Sequence, residues 1–197
     1  REELSVLVVG LGNREITPDA LGPRVADNMM ITRHVIREFG KYALGAEHSN
    51  LISSIVPGGM AQTGMESLEI IRGVIRETEP DCIVAVDALA ARSVKRLNRT
   101  IQITNTGINP GSGVGNHRHG LNRESVGIPV IAIGVPTVVD AATIVNDAIS
   151  GYYEEVDCTL NSFFVTPKDI DESIKRLSFT ISEGLNLAFE KTACTNS

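Results

Sequence analysis

A chain of 197 residues, 42% hydrophobic, 21% charged and 4% aromatic, has the make-up of one ordinary globular domain with a single core, which excludes a disordered or collagen-like polymer. Its 18 basic and 24 acidic side chains are mixed along the chain for a formal charge of -6, leaving no cationic face for duplex DNA or an anionic membrane surface. No apolar run approaches the roughly 20 residues that span a bilayer, and three widely spaced cysteines, Cys82, Cys158 and Cys194, form neither a disulfide framework nor a CxxC pair, which fits a reducing compartment.

Residues 4–9 (LSVLVV) read as a buried strand entered almost at once, and with no initiator Met ahead of it an upstream segment is expected to have been removed or omitted. Residues 20–39 read as helical, 51–56 (LISSIV) as a second strand and 64–78 as a second helix. Residues 82–86 (CIVAV) have no polar face, so they predict a strand covered on both sides in mid-sheet. Residues 99–104 (RTIQIT) alternate as an edge or hairpin strand does. Residues 130–133 (VIAI) form another buried strand, 137–150 a helix, and 167–189 the last helix. Helix starts are written at Thr17-Pro18-Asp19, Thr63-Gly64-Met65-Glu66, Thr137-Val138-Val139-Asp140 and Thr166-Pro167-Lys168-Asp169, the last three as capping boxes. This alternation predicts an α/β fold, three-layer αβα around a central, mostly parallel sheet, with residues 1–197 as one domain.

Gly10-Leu11-Gly12-Asn13 follows the first strand as a dinucleotide fingerprint would, but the third glycine of that motif falls at Glu15, whose carboxylate would repel a pyrophosphate. A tight turn is the better reading. Gly111-Ser112-Gly113-Val114-Gly115 lacks the Lys and Ser/Thr of a phosphate loop. His117-Arg118-His119 lies in loop, where residues two apart need not share a side, so a metal pair is not favoured. No Ser sits in a GxSxG elbow and no Cys has a nearby His and helix start.

Ligand crevices of open parallel sheets lie beyond the carboxyl ends of the strands. Three acids fall there: Asp19 after the first strand, Asp87 at the end of the third, and Asp140 after the strand at 130. Two carboxylates brought together in a desolvated cleft share one proton, one acting as base towards water and the other as acid. Helix capping alone would also account for Asp19, Asp87 and Asp140.

The strings VVGLGNREITPDALGPRV, SSIVPGGMAQTGMES, VAVDALAARSVKRLN, TIQITNTGINPGSGVGN, GIPVIAIGVPTVVDA and FFVTPKDIDESIKRLS resemble, in order, the signature blocks of the spore germination protease family. The resemblance covers nearly the whole chain. It implies an endopeptidase of the spore core that degrades small acid-soluble spore proteins at a motif containing Glu, is made as a zymogen and assembles as a homotetramer. It also implies an atypical aspartic peptidase whose catalytic pair is Asp87 and Asp140, with no cofactor and no metal.

The family's fold resembles that of hydrogenase maturation proteases, which leaves a metal-assisted alternative using Asp19, Asp87 and His117. An inactive binding homologue is the other alternative. Within the main reading, Asp19 completes the polar floor, and the glycine loop, with Gly111 and Gly113, is expected to offer N–H groups to the substrate. Arg92 and Arg118 are candidates for reading the substrate carboxylate in two-point geometry. The chain differs from the resembled family in carrying His117 and His119 after the glycine loop and a shorter stretch at 151–161.

Overall fold

The computed structural model describes residues 3–45, 50–111, 119–149, 160 and 162–190. Six strands, β1 (Ser5–Gly10), β2 (Leu51–Ile55), β3 (Cys82–Ala91), β4 (Gln102–Thr104), β5 (Val130–Asp140) and β6 (Phe164–Val165), form one sheet. Its order is β2-β1-β3-β5-β4, with β6 also on β5. The pairs β1/β2, β1/β3 and β3/β5 are parallel, whereas β4 and β6 run antiparallel to β5. The apolar strand at 82 is central, as its lack of a polar face requires.

Alternate residues of each strand feed opposite cores. Val6, Val8, Val84 and Val86 pack with Leu21 and Val25 of α1 (Leu21–Asn28) and with Ile170, Ile174 and Ile181 of the long C-terminal helix. Leu7, Val9, Ile83 and Ala85 face the other way, onto Leu68 and Ile71 of the helix Ser67–Thr78. Each Val, Leu or Ile side chain so withdrawn from water contributes about 1.5–3 kcal/mol. Helices cover both faces, so the sheet is the middle of three layers.

In chain order the helices are α1, α2 (Arg33–Phe39), α3 (Met60–Thr63), α4 (Ser67–Thr78), α5 (Arg123–Val126), α6 (Ala141–Ile149) and α7 (Ile170–Phe189). Their boundaries depart from the sequence expectations for local reasons. The helix expected over 20–39 is two, because buried Thr32 is drawn onto β2: its hydroxyl donates to the Asn50 carbonyl and accepts from the Ile52 amide. Helix α4 starts at Ser67 rather than at 64. Thr63 spends its hydroxyl on the Gly59 carbonyl and the Met65 amide, and the reciprocal cap is formed by Glu66 and Glu69. Strands β3 and β5 run on past the expected ends at 86 and 133, so Thr137 is a strand residue and α6 begins only at Ala141. Thr166 likewise donates to the Thr137 carbonyl, and α7 begins at Ile170 with Asp169 before it.

The end of α7 is tied to the first quarter of the chain. Asn186 accepts from the Met30 amide at 2.9 Å and donates to the Asn28 carbonyl at 3.3 Å. Asn50 donates to the Phe189 carbonyl and accepts from the Leu4 amide.

Candidate active site

Backbone approach too close for side chains builds the site. A Cβ on Gly22 would stand 2.3 Å from the Leu11 carbonyl oxygen and 2.4 Å from that of Val86, so the start of α1, the β1 turn and the middle of β3 converge on this glycine. Gly12 adopts φ +112°, and a Cβ there would lie 2.1 Å from the Asp19 carbonyl oxygen. The turn thereby folds over the 3₁₀ turn Thr17–Asp19: the Asn13 amide donates to the Asp19 carboxylate at 2.7 Å and to its carbonyl at 3.2 Å. The glycine pair after β1 is thus a tight turn, as expected, and its amide is used on an internal carboxylate.

Above the carboxyl ends of β1, β2 and β3 lies a cavity of about 500 Å³. Asp19 and Asp87 both line it, among mostly apolar neighbours that include Ile16, Met60, Leu89 and Phe164. Asp87 lies within β3 at this point with only 3% exposure, and its Oδ1 accepts the Ala88 amide at 2.9 Å. The Thr137 hydroxyl donates to the Pro18 carbonyl at 2.7 Å, fixing β5 to the turn that carries Asp19.

Asp140 is placed elsewhere, and the expected meeting of Asp87 and Asp140 over one amide does not occur in this arrangement. Asp87 stands opposite Gly134, and Ala91 opposite Val139. Asp140 is therefore about five strand positions, or roughly 16 Å, farther along the sheet, and it is not among the residues lining the cavity. Its two oxygens accept the Thr143 amide at 2.7 Å and the Thr143 hydroxyl at 2.8 Å, so it holds the start of α6.

Gly111 is on the cavity wall with φ +70°. Arg92 is exposed just past β3 and does not line the cavity. Gly113, His117 and Arg118 lie outside the described residues. His119 bonds Glu66 at 2.9 Å on the surface. Among the described residues no group of three or more His, Cys, Asp and Glu side chains converges as a metal site would require. Sequence reasoning missed Asn13, Thr137 and Phe164 as cavity residues. The first was legible in the glycine turn. The second was taken for a helix cap, and Phe164 lies in a string with no periodic signal.

An open-sheet α/β domain with a buried carboxylate and a second acid in the crevice at its strand ends has the layout of an enzyme of the layered α/β class. The germination protease family model matches residues 1–154. The chain belongs to the germination protease family and is a peptidase. It is 44% identical over 220 aligned residues to the germination protease of Caldanaerobacter subterraneus subsp. tengcongensis, covering 96% of this chain and 67% of the relative. It is 55% identical over 148 residues to that of Bacillus velezensis, covering 75% of this chain and 40% of the relative. The chain thus spans about two thirds of the length of the former. Among solved structures it is similar to the [NiFe] hydrogenase maturation protease HycI from Thermococcus kodakarensis, at 19% identity and a TM-score of 0.45 over 92% of each chain.

Proposed function

We propose that this peptidase is an endopeptidase that cuts small acid-soluble spore proteins during germination, with Asp87 as its central acid/base group and Asp19 as the second carboxylate. The observation that carries the reading is that a nearly fully buried aspartate and a second acid share one cavity at the carboxyl ends of the parallel strands. One carboxylate takes a proton from water as its oxygen bonds to the peptide carbonyl carbon. The protonated partner gives its proton to the leaving amine as the C–N bond breaks, and the proton taken from water restores the pair. Gly111 supports a backbone contact to the substrate strand. Family resemblance supports placing the enzyme in the spore core as a homotetramer made from a zymogen, with Arg92, Gly113 and Arg118 as further substrate contacts.

The pair that the resemblance implies, Asp87 with Asp140, remains a second reading, favoured by one observation: Val138, two residues before Asp140 on the same strand face, already lines the cavity. A rearrangement confined to the end of β5 would then be needed. A metal held by Asp19 and Asp87 would need a further ligand, and the candidate His117 lies outside the described residues; cleavage that survives exhaustive chelation supports proton sharing instead.

Single Asp→Asn variants at 19, 87 and 140 separate these readings, because Asn keeps size and loses the tradable proton. Asp87→Asn and Asp19→Asn are expected to lose cleavage by about a hundredfold or more, with Asp140→Asn retaining most of it. Wild-type activity in Asp87→Asn overturns the mechanism. Loss in folded Asp140→Asn, with activity in Asp19→Asn, moves the partner role to Asp140.

A further inference from the structure

A second concavity, a groove of about 560 Å³, lies between α1 and α7 and is lined by Arg24, Asp27 and Asn28 from the first helix and by Glu172, Lys175, Arg176 and Phe179 from the second. The chain as a whole is acidic, at -6, yet this groove is not. Asp27 is spent on Arg14, whose guanidinium bonds both of its oxygens. Arg24, Lys175 and Arg176 are exposed and form no ion pair among the described residues, although Glu172 is three and four positions from the latter two on their own helix. Three unmatched cations therefore face one free carboxylate, beside a Phe179 ring that is 60% exposed.

The groove and the cavity share no lining residue but are carried by neighbouring elements. Asp19 on the cavity wall leads into α1, Arg24 stands about one helical turn beyond it, and α7 packs on the same 3₁₀ turn. Acidic stretches of a long substrate thus meet a countercharged groove on elements that adjoin the cavity.

We propose that the α1/α7 groove is a docking site for an acidic segment of the protein substrate, distinct from the segment being cut, with Arg24, Lys175 and Arg176 pairing its carboxylates and Phe179 covering an apolar side chain. The assignment to substrate rests on the peptidase reading above; the charge assignment does not. Its role is capture, so it acts on KM and on salt dependence rather than on the chemical step.

The test uses the whole protein and its triple variant Arg24→Glu/Lys175→Glu/Arg176→Glu. Fluorescence anisotropy with a labelled octaglutamate peptide reads the groove without any need for cleavage. Binding is expected to weaken as salt rises and to weaken by about tenfold or more in the variant. No binding to the wild type, or equal binding to both proteins, overturns the proposal.

Cleavage of an intact small acid-soluble spore protein and of a short peptide carrying only its cut site then tests the occupant. A higher KM for the protein, with kcat unchanged and the peptide unaffected, supports substrate docking. Loss of octaglutamate binding with unchanged protein KM overturns the substrate assignment, as does a changed oligomeric state in sedimentation, which would make the groove a contact between copies. Failure of the wild type to cut either substrate counts against the peptidase reading instead, while the anisotropy result still stands for the groove. If the triple variant misfolds by circular dichroism, Lys175→Gln/Arg176→Gln replaces it, with the same outcomes read at severalfold size.

Discussion

Thr137 and Pro18, 119 positions apart, are joined by a hydroxyl-to-carbonyl hydrogen bond of 2.7 Å. Thr137 is 1% exposed, so nothing but Pro18 satisfies that hydroxyl's donor, and the bond sets where Asp19 sits against the cavity. Thr137→Val keeps the shape and removes the donor. The part-buried carbonyl left without its partner costs about 1 kcal/mol, seen as a lower midpoint in urea, and cleavage falls as Asp19 drifts. An unchanged midpoint would mean that the turn is held by other contacts.

Glycines separate into two kinds. Gly22→Ala drives a methyl group into two backbone oxygens and is expected to destabilise by about 3 kcal/mol or more, since neither strand end nor helix start can retreat. Gly73, inside α4 with open space where a Cβ would go, should behave oppositely: Gly73→Ala gains up to about 1 kcal/mol from helix propensity and a less flexible unfolded chain. Thermal melts of the two variants check the pair.

Asp140→Ala tests the structural role that the coordinates give this residue. Losing both bonds to Thr143 exposes the start of α6, with an expected cost of about 0.5–2 kcal/mol. Hydrogen exchange should quicken at Thr143 before it does in β3. If exchange there is unchanged, capping is not what Asp140 contributes.

Burial, and after it the charge of Asp81, push the Cys82 thiol above its ordinary value. The folded state thus holds this proton more tightly than the unfolded chain does. Its contribution to stability is fully present below the usual thiol pKa of about 8.5 and is lost as pH rises from there through the higher folded value. Urea midpoints measured from neutral to strongly alkaline pH should fall less steeply in Cys82→Ala than in the wild type. A neutral-pH alkylating reagent should reach Cys82 slowly.

Much of the layering was legible because apolar runs such as residues 82–86 leave only mid-sheet positions open. What was not legible is where competing partners outbid a local signal. Thr63, Thr137 and Thr166 each begin a string with a carboxylate three residues on, yet Thr63 gives its hydroxyl to the carbonyl four residues back and the other two to carbonyls elsewhere in the fold, so none caps as its spacing suggests. The same competition lengthened β5 by seven residues over its apolar core at 130–133 and carried Asp140 away from Asp87. Position in a strand multiplies such an error: each extra residue moves a side chain by about 3.3 Å. Asp19 and Asp87 line the cavity although neither directly follows a strand end: Asp87 lies within β3, and Asp19 is brought back by the turn after β1.

The bonds from Asn186 and Asn50 give the tail an influence far from where it lies. A protease that nibbled the last helix back past Asn186 would free the backbone at Asn28 and Met30 and strip Phe189 from Asn50 in one stroke. Unravelling would then begin around Asn28 and Met30, 156 positions away from Asn186 in the case of Met30. The final helix is a clasp for the chain's own beginning, and clipping it is a way to open the molecule without touching the crevice.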